Sequence, residues 1–384
     1  MGTPQRTTMP PLPITEFEPH MPQLVALIEK LVQIESPTTS KSGVDELGRF
    51  VAAEMEARDG QVRDEPQTDA GDHRIGTWGE GQGGLLLMVH LDTVHPLGTL
   101  EDMPFVAREN RIFGPGVLDM KASIAMALIA IEILRENGKL RQDRLTFLCT
   151  SDEETGSRNS RALIEQLAQE HELVLCLEPA LPDGSLKTWR KGTLAFRVET
   201  VGKAAHAGSN IKDGVNAILE MAHQIPAIAA LVDDETETTV NVGVIQGGTR
   251  SNVVPDLCSL RVDVRAKTKD EGDRVLAAML ALEPILEGAE IRVKGGWNRQ
   301  PMERNEQMLK TFQRAQGIAR DLGLSVSEGG TGGGSDANFV AALGIPVLDG
   351  LGAIGTGAHT KHEQVETESL AERTALIAAL ISEW

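Results

Sequence analysis

The feature of the sequence that most restricts the fold is a set of short, continuously apolar runs that end at polar residues. Such runs are typical of strands buried on both faces of a parallel sheet. Helical patterns separate them along the chain, and this alternation predicts a doubly wound α/β domain with a mostly parallel sheet. The predicted strands are residues 84–89, 145–149, 173–177 and 345–348, and the clearest predicted helices are residues 120–137 and 158–170.

The middle of the chain follows a different order of elements, β-α-β-β-α-β, which is that of a ferredoxin-like domain. Its predicted elements are strand 193–201, helix 214–231, strands 238–245 and 257–265, helix 269–286 and strand 290–294. The sequence therefore predicts a larger α/β domain formed by residues 1–191 and 303–384, with a small α+β domain inserted at residues 192–302. A length of 384 residues allows two hydrophobic cores of ordinary size.

Composition bears on the location and partners of the protein. The net charge of -19 makes nucleic acid and anionic membrane surfaces unfavourable partners. Residues 1–17 lack the apolar segment of a signal peptide, and residues 1–13 are interpreted as a frayed leader, so we expect a cytoplasmic protein. The three cysteines lie in apolar runs and are expected to be buried thiols, with no disulfide and no thiolate metal site.

Polar residues capable of chemistry follow the carboxyl ends of the predicted strands, where α/β sheets place their ligands. Taken singly, each has an ordinary explanation. Residues 90–92 could be a strand end with a solvated aspartate, Asp119 a helix N-cap, and residues 152–154 an acidic loop. Taken together, two histidines and three carboxylates at strand ends or in their loops indicate a metal site. This ligand set contains no thiolate and suits Zn, Mn or Co in a hydrolytic centre.

Five such side chains hold two divalent ions if one carboxylate bridges them. Three carboxylates and one hydroxide would then balance four positive charges, which favours a dinuclear centre over a mononuclear one. Ions in such centres clamp the scissile carbonyl and activate water. Of the adjacent pair Glu153 and Glu154, one could bind metal while the other transfers a proton to the leaving amine. Asp92 lies two residues after His90 and could fix the tautomer of that imidazole.

Nine short segments carry a family resemblance: HLDTV (90–94), GPGVLDMK (114–121), DEETGS (152–157), LEP (177–179), GKAAHAG (202–208), SNVVPD (251–256), DVR (263–265), TGGGSDA (331–337) and AHTKHE (358–363). Together they resemble the zinc-dependent metallopeptidase family of glutamate carboxypeptidase, acetylornithine deacetylase, succinyl-diaminopimelate desuccinylase and the aminoacylases. The number of segments and their order along the chain make the resemblance highly specific.

The resemblance implies five ligands for two zinc ions: Asp119 as the bridge, His90 and Glu178 on one ion, and Glu154 and His359 on the other. It also implies that Glu153 is the general base. His362 is an alternative ligand to His359, but Glu363 matches an acid that follows the ligand by four residues in relatives, which favours His359. The family has a small inserted dimerisation domain. The resemblance therefore implies that residues 1–191 and 303–384 form the catalytic domain and residues 192–302 a lid or dimerisation domain, and we expect a homodimer.

The resemblance further implies residues that contact the substrate. His206 matches a histidine that, in relatives, reaches across the dimer to the partner's site and stabilises the developing oxyanion. Asn252 and Arg265 match positions that bind the substrate carboxylate, for which a guanidinium offers a bidentate fork. Arg299 lies near another such position, although its neighbours depart from the family pattern. A basic side chain is also expected near the site, and the sequence leaves three alternatives: Lys187, Arg190 and Lys191.

These observations favour a dimeric di-zinc hydrolase that cleaves an amide bond next to a free carboxylate. The segment at 331–337 and the pair Asn252 and Arg265 look most like glutamate carboxypeptidase. Release of a C-terminal amino acid, glutamate first among the candidates, from N-acyl or peptidyl substrates is therefore the leading hypothesis. Deacylation of an N-acyl amino acid is the alternative within the class. Glu153 argues against a non-catalytic metal-binding homologue, and the acidic charge argues against a phosphodiesterase.

Overall fold

The computed structural model describes residues 10–141 and 143–384. The predicted leader at residues 1–13 lies mostly outside this part of the chain. Internal contacts divide the protein into two compact units. The first unit comprises the residues up to Thr188 together with Arg304–Gly330 and Ser335–Trp384, and the second comprises Trp189–Glu303 and Thr331–Gly334.

The α-helices of the described chain are α1 (Met21–Val32), α2 (Lys41–Glu56), α3 (Thr99–Asp102), α4 (Ala122–Glu136), α5 (Arg161–Gln169), α6 (Ala217–Ala229), α7 (Lys269–Leu280), α8 (Glu306–Asp321), α9 (Ala337–Ala342) and α10 (Ser369–Glu383). Side-chain caps at Ser40 and Asn305 accept a backbone N–H in the first turn of α2 and α8, as expected for these residue types. The helix predicted at residues 269–286 ends earlier, at Leu280, because Pro284 disfavours helical backbone at the residue before it.

The strands are β1 (Gln61–Glu65), β2 (His73–Trp78), β3 (Leu85–His90), β4 (Val106–Arg108), β5 (Arg111–Phe113), β6 (Leu145–Thr150), β7 (Leu173–Cys176), β8 (Leu186–Arg190), β9 (Gly192–Val201), β10 (Ala205–His206), β11 (Thr239–Gly247), β12 (Val253–Val254), β13 (Leu257–Ala266), β14 (Glu290–Arg299), β15 (Glu328–Thr331), β16 (Val347–Asp349), β17 (Gly355–Thr356) and β18 (Gln364–Glu366). They form an eight-stranded sheet, two four-stranded sheets and one strand pair.

The eight-stranded sheet has the order β1-β2-β6-β3-β7-β16-β8-β15. Its central strands β6, β3, β7 and β16 are parallel to one another. Antiparallel strands flank them, since β2 pairs antiparallel with β6, β1 with β2, and β8 with β16. The predicted α/β class is confirmed. The parallel order at the centre of the sheet is the feature that gathers strand ends at one edge.

The core of the first unit is built from the strands that were predicted to be continuously apolar. Leu85, Leu87 and Phe147 are fully buried, as expected for strands covered on both faces. Helix α4 is buried along nearly its whole length and packs against α1 and α10. Its Ala, Ile and Leu side chains therefore belong to a helix with almost no solvent face, rather than to an amphipathic surface helix.

The second unit contains β9-α6-β11-β13-α7-β14, which is the predicted β-α-β-β-α-β order. Its sheet has the order β11-β13-β9-β14, and all three pairings are antiparallel. Burial alternates along β13, so one face carries the core with α6 and α7. The ferredoxin-like prediction for this segment is confirmed.

Two further observations concern the whole described chain. Cys149, Cys176 and Cys258 are all buried, and none forms a disulfide, as predicted. Among the described residues, no helix combines the length and the apolar character needed to span a membrane.

Candidate metal centre

The predicted ligands lie at the carboxyl ends of three adjacent parallel strands and in two loops beside them. His90 is the last residue of β3. Glu154 belongs to a short 3-10 turn, Glu153–Thr155, which follows β6. Glu178 follows β7 after one intervening residue. Because β6, β3 and β7 are neighbours in the sheet, their carboxyl ends meet at one edge and bring these side chains together.

Asp119 lies between the other members of the cluster. Its backbone is not helical (φ -118°, ψ 87°). Helix α4 begins at Ala122 with Lys121 in the N-cap position, so Asp119 is not the N-cap of that helix. Its Oδ1 is 3.0 Å from Nε2 of His90, and its Oδ2 is 3.3 Å from Nε2 of His359. Each carboxylate oxygen therefore faces a different histidine, which is the arrangement that a bridging ligand requires.

The other two carboxylates divide between the two histidines. Oε1 of Glu178 lies 3.8 Å from Nε2 of His90, and Oε2 of Glu154 lies 3.2 Å from Nε2 of His359. His359 has a left-handed backbone conformation with φ 63° and, although its side chain is 53% exposed, its Nε2 faces both Asp119 and Glu154. His362, the alternative ligand, is also exposed. The structure thus brings the five side chains together as two groups that share Asp119.

The donor atoms of this cluster suit a metal centre. Ligand atoms of His90, Asp119 and Glu154 all lie within 4.8 Å of one another. Oε1 of Glu154 is buried and accepts no hydrogen bond from the described residues. A buried carboxylate oxygen in that state is costly unless a cation satisfies it. Imidazole nitrogen and carboxylate oxygen are ligands that Zn2+ accepts in catalytic sites, so the residues present fit the metal.

Electrostatics in the cluster favour positive charge. Hydrogen bonds to Asp119 and Glu154 raise the pKa of His359 to about 10. Burial lowers the pKa of His90, but hydrogen bonds to Asp119 and Asp92 outweigh burial and hold that pKa well above its ordinary value. Burial raises the pKa of Asp119, but the two histidines reverse this effect and lower it, whereas burial keeps the pKa of Glu154 raised. The carboxylates therefore stabilise positive charge here, whether protons or a cation carry it.

Asp92 connects the end of β3 to the turn after β6. It is fully buried, and its carboxylate accepts hydrogen bonds from the N–H groups of Glu153 and Glu154, both at 3.1 Å, and from Oγ1 of Thr38 at 2.7 Å. Nδ1 of His90 lies 2.9 Å from the main-chain oxygen of Asp92 and 3.6 Å from its carboxylate. The main-chain oxygen is thus the nearer partner of the imidazole, and the side chain, which also faces His90, fixes the backbone of both glutamates.

Two residues beside the cluster were not singled out from the sequence. Thr38 lies 54 positions before its partner Asp92. His95 follows the first motif, and its Nε2 is 2.7 Å from Oε2 of Glu363, 268 positions away. A lone threonine and a lone histidine carry no local signal, although the position of His95 next to a strong motif could have drawn attention to it.

His206 and Asn252 are neighbours in the second unit. The N–H of the residue after His206 donates to the main-chain oxygen of Asn252 at 3.0 Å. Nδ1 of His206 accepts hydrogen bonds from the N–H groups of Gly208 and Ser209, both at 3.1 Å. The proton of the neutral ring therefore lies on Nε2, and this exposed imidazole presents an N–H donor.

The basic residues expected to bind substrate already have protein partners. Arg265 forms a bidentate ion pair with Asp263 on the same strand, with Nε to Oδ1 at 2.8 Å and Nη2 to Oδ2 at 3.0 Å. A substrate carboxylate would have to replace Asp263 in this fork. Arg299 is buried, and its Nη1 donates to Oδ1 of Asn298 at 3.1 Å. Of the three alternatives for the basic residue near the site, Lys187 and Arg190 are buried. Nζ of Lys191 donates to the main-chain oxygen of Glu237.

Comparison with known proteins agrees with this geometry. Residues 86–383 match the peptidase family M20/M25/M40. The chain is 32% identical over 370 residues to carboxypeptidase G2 of Pseudomonas sp. (strain RS-16). The aligned region covers 94% of this chain and 89% of that protein. It is 28% identical over 333 residues to succinyl-diaminopimelate desuccinylase of Stenotrophomonas maltophilia (strain K279a), covering 81% of this chain and 86% of the relative.

The fold also agrees with that of a solved structure. Aminopeptidase PepT from Bacillus cereus ATCC 10987 is similar with a TM-score of 0.76 and 24% identity, covering 94% of this chain and 98% of that chain. The resemblance inferred from the motifs is therefore confirmed. The chain is a hydrolase that belongs to the peptidase family M20/M25/M40.

Proposed function

We propose that this protein is a dinuclear zinc hydrolase that releases a C-terminal amino acid, glutamate first among the candidates, from N-acyl or peptidyl substrates. The observation that carries the proposal is the position of Asp119, whose two carboxylate oxygens face His90 and His359. His90, Asp119 and Glu178 would hold one ion, and Asp119, Glu154 and His359 the other. Co2+ and Mn2+ suit the same ligands.

The chemistry would combine the metal centre with Glu153. Two zinc ions would polarise the scissile carbonyl and lower the pKa of the attacking water. Glu153 would take the proton of that water and pass it to the nitrogen of the leaving amine. The backbone N–H of Glu153 donates a hydrogen bond to the carboxylate of Asp92, while Oε2 of the neighbouring Glu154 lies 3.2 Å from Nε2 of His359. A proton carrier and a metal ligand thus lie on one turn whose backbone is fixed by a buried carboxylate.

Residues of the second unit would contact the substrate. The Nε2–H of His206 is a suitable donor for the oxyanion that develops on the carbonyl and, by the family resemblance, would act in the active site of the partner subunit. Asn252 and Arg265 would bind the carboxylate of the released amino acid. The guanidinium of Arg265 pairs with Asp263 in the free protein and would pair with the substrate carboxylate in the complex, so it would have a carboxylate partner in both states.

We also propose that the protein is a homodimer formed through the second unit. β11 is an edge strand of the four-stranded sheet. Val244 and Ile245 on β11 are 47% and 52% exposed, and Leu257 on β13 is 48% exposed. An edge strand with exposed apolar side chains is a surface suited to association with a second copy. The buried, reduced cysteines support a cytoplasmic location, where thiols stay reduced.

A second candidate function is deacylation of an N-acyl amino acid. It is favoured by the 28% identity to succinyl-diaminopimelate desuccinylase over most of the chain. The metal centre and Glu153 would be used in the same way, and only the groups that contact the acyl portion would differ. The two candidates therefore differ in the substrate accepted rather than in the catalytic residues.

The proposal is tested by release of free amino acid from a panel of N-acyl, N-benzoyl and pteroyl amino acids by the zinc-loaded protein. Chelator-sensitive release restricted to acyl-glutamates supports the carboxypeptidase, and release from short-chain N-acyl substrates supports the deacylase. The variant Glu153→Gln should keep two zinc ions and lose on the order of 100-fold or more in kcat. If that variant retains full activity, Glu153 is not the general base.

A matched pair of variants tests the carboxylate site. Arg261 and Arg265 lie four positions apart on β13, on the same face of the strand. Arg265→Met should raise KM for the amino-acid substrate strongly, whereas Arg261→Met should leave it unchanged. Equal effects of the two substitutions would rule out a specific role for Arg265.

Subunit mixing tests the shared active site. Neither His206→Ala nor Glu153→Ala should be active alone. After exchange of subunits, half of the dimers are mixed and each has one intact site, so about a quarter of the wild-type activity should return. Proven exchange without recovered activity would contradict the role of His206 in the partner's site.

A further inference from the structure

Glu363 is a fully buried carboxylate that the proposed chemistry does not use. Its Oε1 accepts hydrogen bonds from the N–H groups of Leu118 at 2.8 Å and Asp119 at 2.9 Å. Its Oε2 accepts from the N–H of Gly116 at 2.9 Å and lies 2.7 Å from Nε2 of His95. Four nitrogen partners on two oxygens are the environment that an ionised carboxylate needs when it is buried.

These contacts connect three segments that carry proposed metal ligands. His95 lies five residues after His90, and Glu363 lies four residues after His359. The backbone N–H groups that donate hydrogen bonds to Glu363 belong to the turn that contains Asp119. One carboxylate therefore fixes the relative positions of the bridging candidate and of the loop that holds the second histidine.

The turn before α4 depends on this carboxylate for its conformation. Met120 and Asp119 have non-helical dihedral angles, so the N–H groups of Leu118 and Asp119 need partners from outside a regular helix. Gly116 has φ 69°, and a Cβ added there would lie 2.6 Å from Cγ2 of Thr93. Glycine at this position allows the turn to approach the segment that contains His95.

The two proposed ion positions are held to different degrees. His90 is fixed by the sheet, because its residue is paired with Thr150 in the β3–β6 ladder. His359 lies in a loop, and Glu363 connects that loop to the Asp119 turn. Loss of the Glu363 contacts should therefore displace His359 and the facing oxygen of Asp119 more than it displaces His90.

We propose that His95 and Glu363 are positioning residues that hold Asp119 and His359 in register and so determine metal affinity at the Asp119, Glu154 and His359 position. This inference rests on the ligand assignment under the proposed function. Neither residue is placed in contact with the substrate. His95 fixes the direction of the carboxylate, because Oε2 would otherwise keep only the N–H of Gly116 as a partner.

The test measures zinc binding to the two positions by competition with a chromophoric chelator. His95→Phe keeps a ring of similar shape and removes the hydrogen bond to Glu363, and His95→Gln retains an N–H donor. In His95→Phe, the tighter zinc should bind as in the wild type, while the second should weaken about 10- to 100-fold. His95→Gln should recover most of the lost affinity.

A buried histidine elsewhere in the first unit serves as a matched control. Nε2 of His171 pairs with Oγ1 of Thr146 at 2.8 Å, near the amino end of β6 and so at the opposite edge of the sheet from the candidate ligands. His171→Phe makes the same chemical change and should leave both zinc affinities unaltered. Equal loss of second-site affinity in His95→Phe and His171→Phe would show that general destabilisation is the cause.

The outcomes separate this inference from the assignment on which it rests. Wild-type protein that binds two zinc ions, together with His95→Phe that binds them equally well, overturns the positioning role alone. Wild-type protein that binds no zinc overturns the metal centre and this inference with it. If His95→Phe does not fold, Glu363→Gln provides the second variant, because its amide leaves two N–H groups without an acceptor and should weaken the same zinc.

Discussion

Substitution of Arg373 by methionine should loosen the loop that supports Glu178. Arg373 is 5% exposed on α10. Its guanidinium donates to three main-chain oxygens, those of Gly352 at 3.0 Å, Gly184 at 3.1 Å and Gly350. The N–H of Gly352 in turn donates to the main-chain oxygen of Glu178 at 2.9 Å. Although burial lowers the pKa of Arg373 to about 10, the side chain stays charged at neutral pH.

The expected loss follows from those three hydrogen bonds. Bonds from a charged donor contribute roughly 1.5–3 kcal/mol each, about 5–9 kcal/mol together. Removing a buried charge recovers several kcal/mol of its desolvation cost. We therefore expect Arg373→Met to lower the free energy of unfolding by about 3 kcal/mol. Arg373→Lys keeps the charge but reaches fewer carbonyls, and it should lose about 1–2 kcal/mol.

The assay combines urea unfolding with hydrogen exchange of the peptide that contains Gly350 and Gly352. Protection of that peptide should fall in Arg373→Met, because the turn opens locally. Arg320→Met at the exposed end of α8 is the control, and it should stay within about 0.5 kcal/mol of the wild type. If Arg373→Met is as stable as Arg320→Met, or if the peptide remains protected, the guanidinium does not hold this turn.

Three further predictions concern stability. Gly352→Ala should lower the free energy of unfolding by at least about 2 kcal/mol, because its Cβ would lie 2.2 Å from Oγ of Ser123 and 2.3 Å from the main-chain oxygen of Leu177. Gly317→Ala, in open space on α8, should instead raise it by about 0.5–1 kcal/mol. Calorimetry that finds equal stability for the two variants would contradict this prediction. Burial lowers the pKa of His73 and His171, so stability should fall as pH drops below about 6.5, by up to 1.4 kcal/mol per pH unit for each histidine. His171→Gln should reduce that slope, and an unchanged slope would refute the linkage. Chelation of zinc should lower the unfolding temperature, since zinc at 1,000 times Kd contributes about 4 kcal/mol; a metal-independent temperature would count against the centre.

The parts of the fold that the sequence predicted are those with a strong local pattern. The apolar runs identify β3, β6 and β7 because strands buried on both faces need apolar side chains at every position. β1 has the sequence QVRDE and is largely exposed, so only its pairing with β2 defines it. β2 begins with His73 and Arg74, which are buried. Arg74 pairs with Asp64 opposite it on β1, and Nδ1 of His73 lies 3.0 Å from Oγ of Ser151, 78 positions away. No local pattern predicts a partner as distant as Ser151.

The same distinction applies to the candidate site. Strand ends predicted the neighbourhood of His90, Glu154 and Glu178, since the edge of a parallel sheet is a consequence of topology. The position of Asp119 between two histidines depends on a non-helical turn, and no residue preference specifies those dihedral angles. The carboxylate of Asp92, which the sequence assigned to His90, lies 3.6 Å from Nδ1 of that imidazole. It also accepts hydrogen bonds from two backbone N–H groups, and no residue type signals such acceptance, because every non-proline residue has a backbone N–H.

Buried charges hold the backbone at three of the four proposed ligand positions outside β3: Asp92 for Glu154, Glu363 for Asp119 and, through Gly352, Arg373 for Glu178. A buried charge is expensive, and replacing one with a well-packed apolar group is often neutral or stabilising for the fold. The net stability that such a charge contributes is therefore a small difference between large opposing terms. What an apolar replacement cannot supply is a set of directed hydrogen bonds that fixes a loop at the distance a metal ligand needs. Substitutions of Asp92, Glu363 and Arg373 should consequently reduce zinc affinity as well as stability, whereas substitution of a buried structural residue such as His171 should lower stability and leave zinc affinity unaltered.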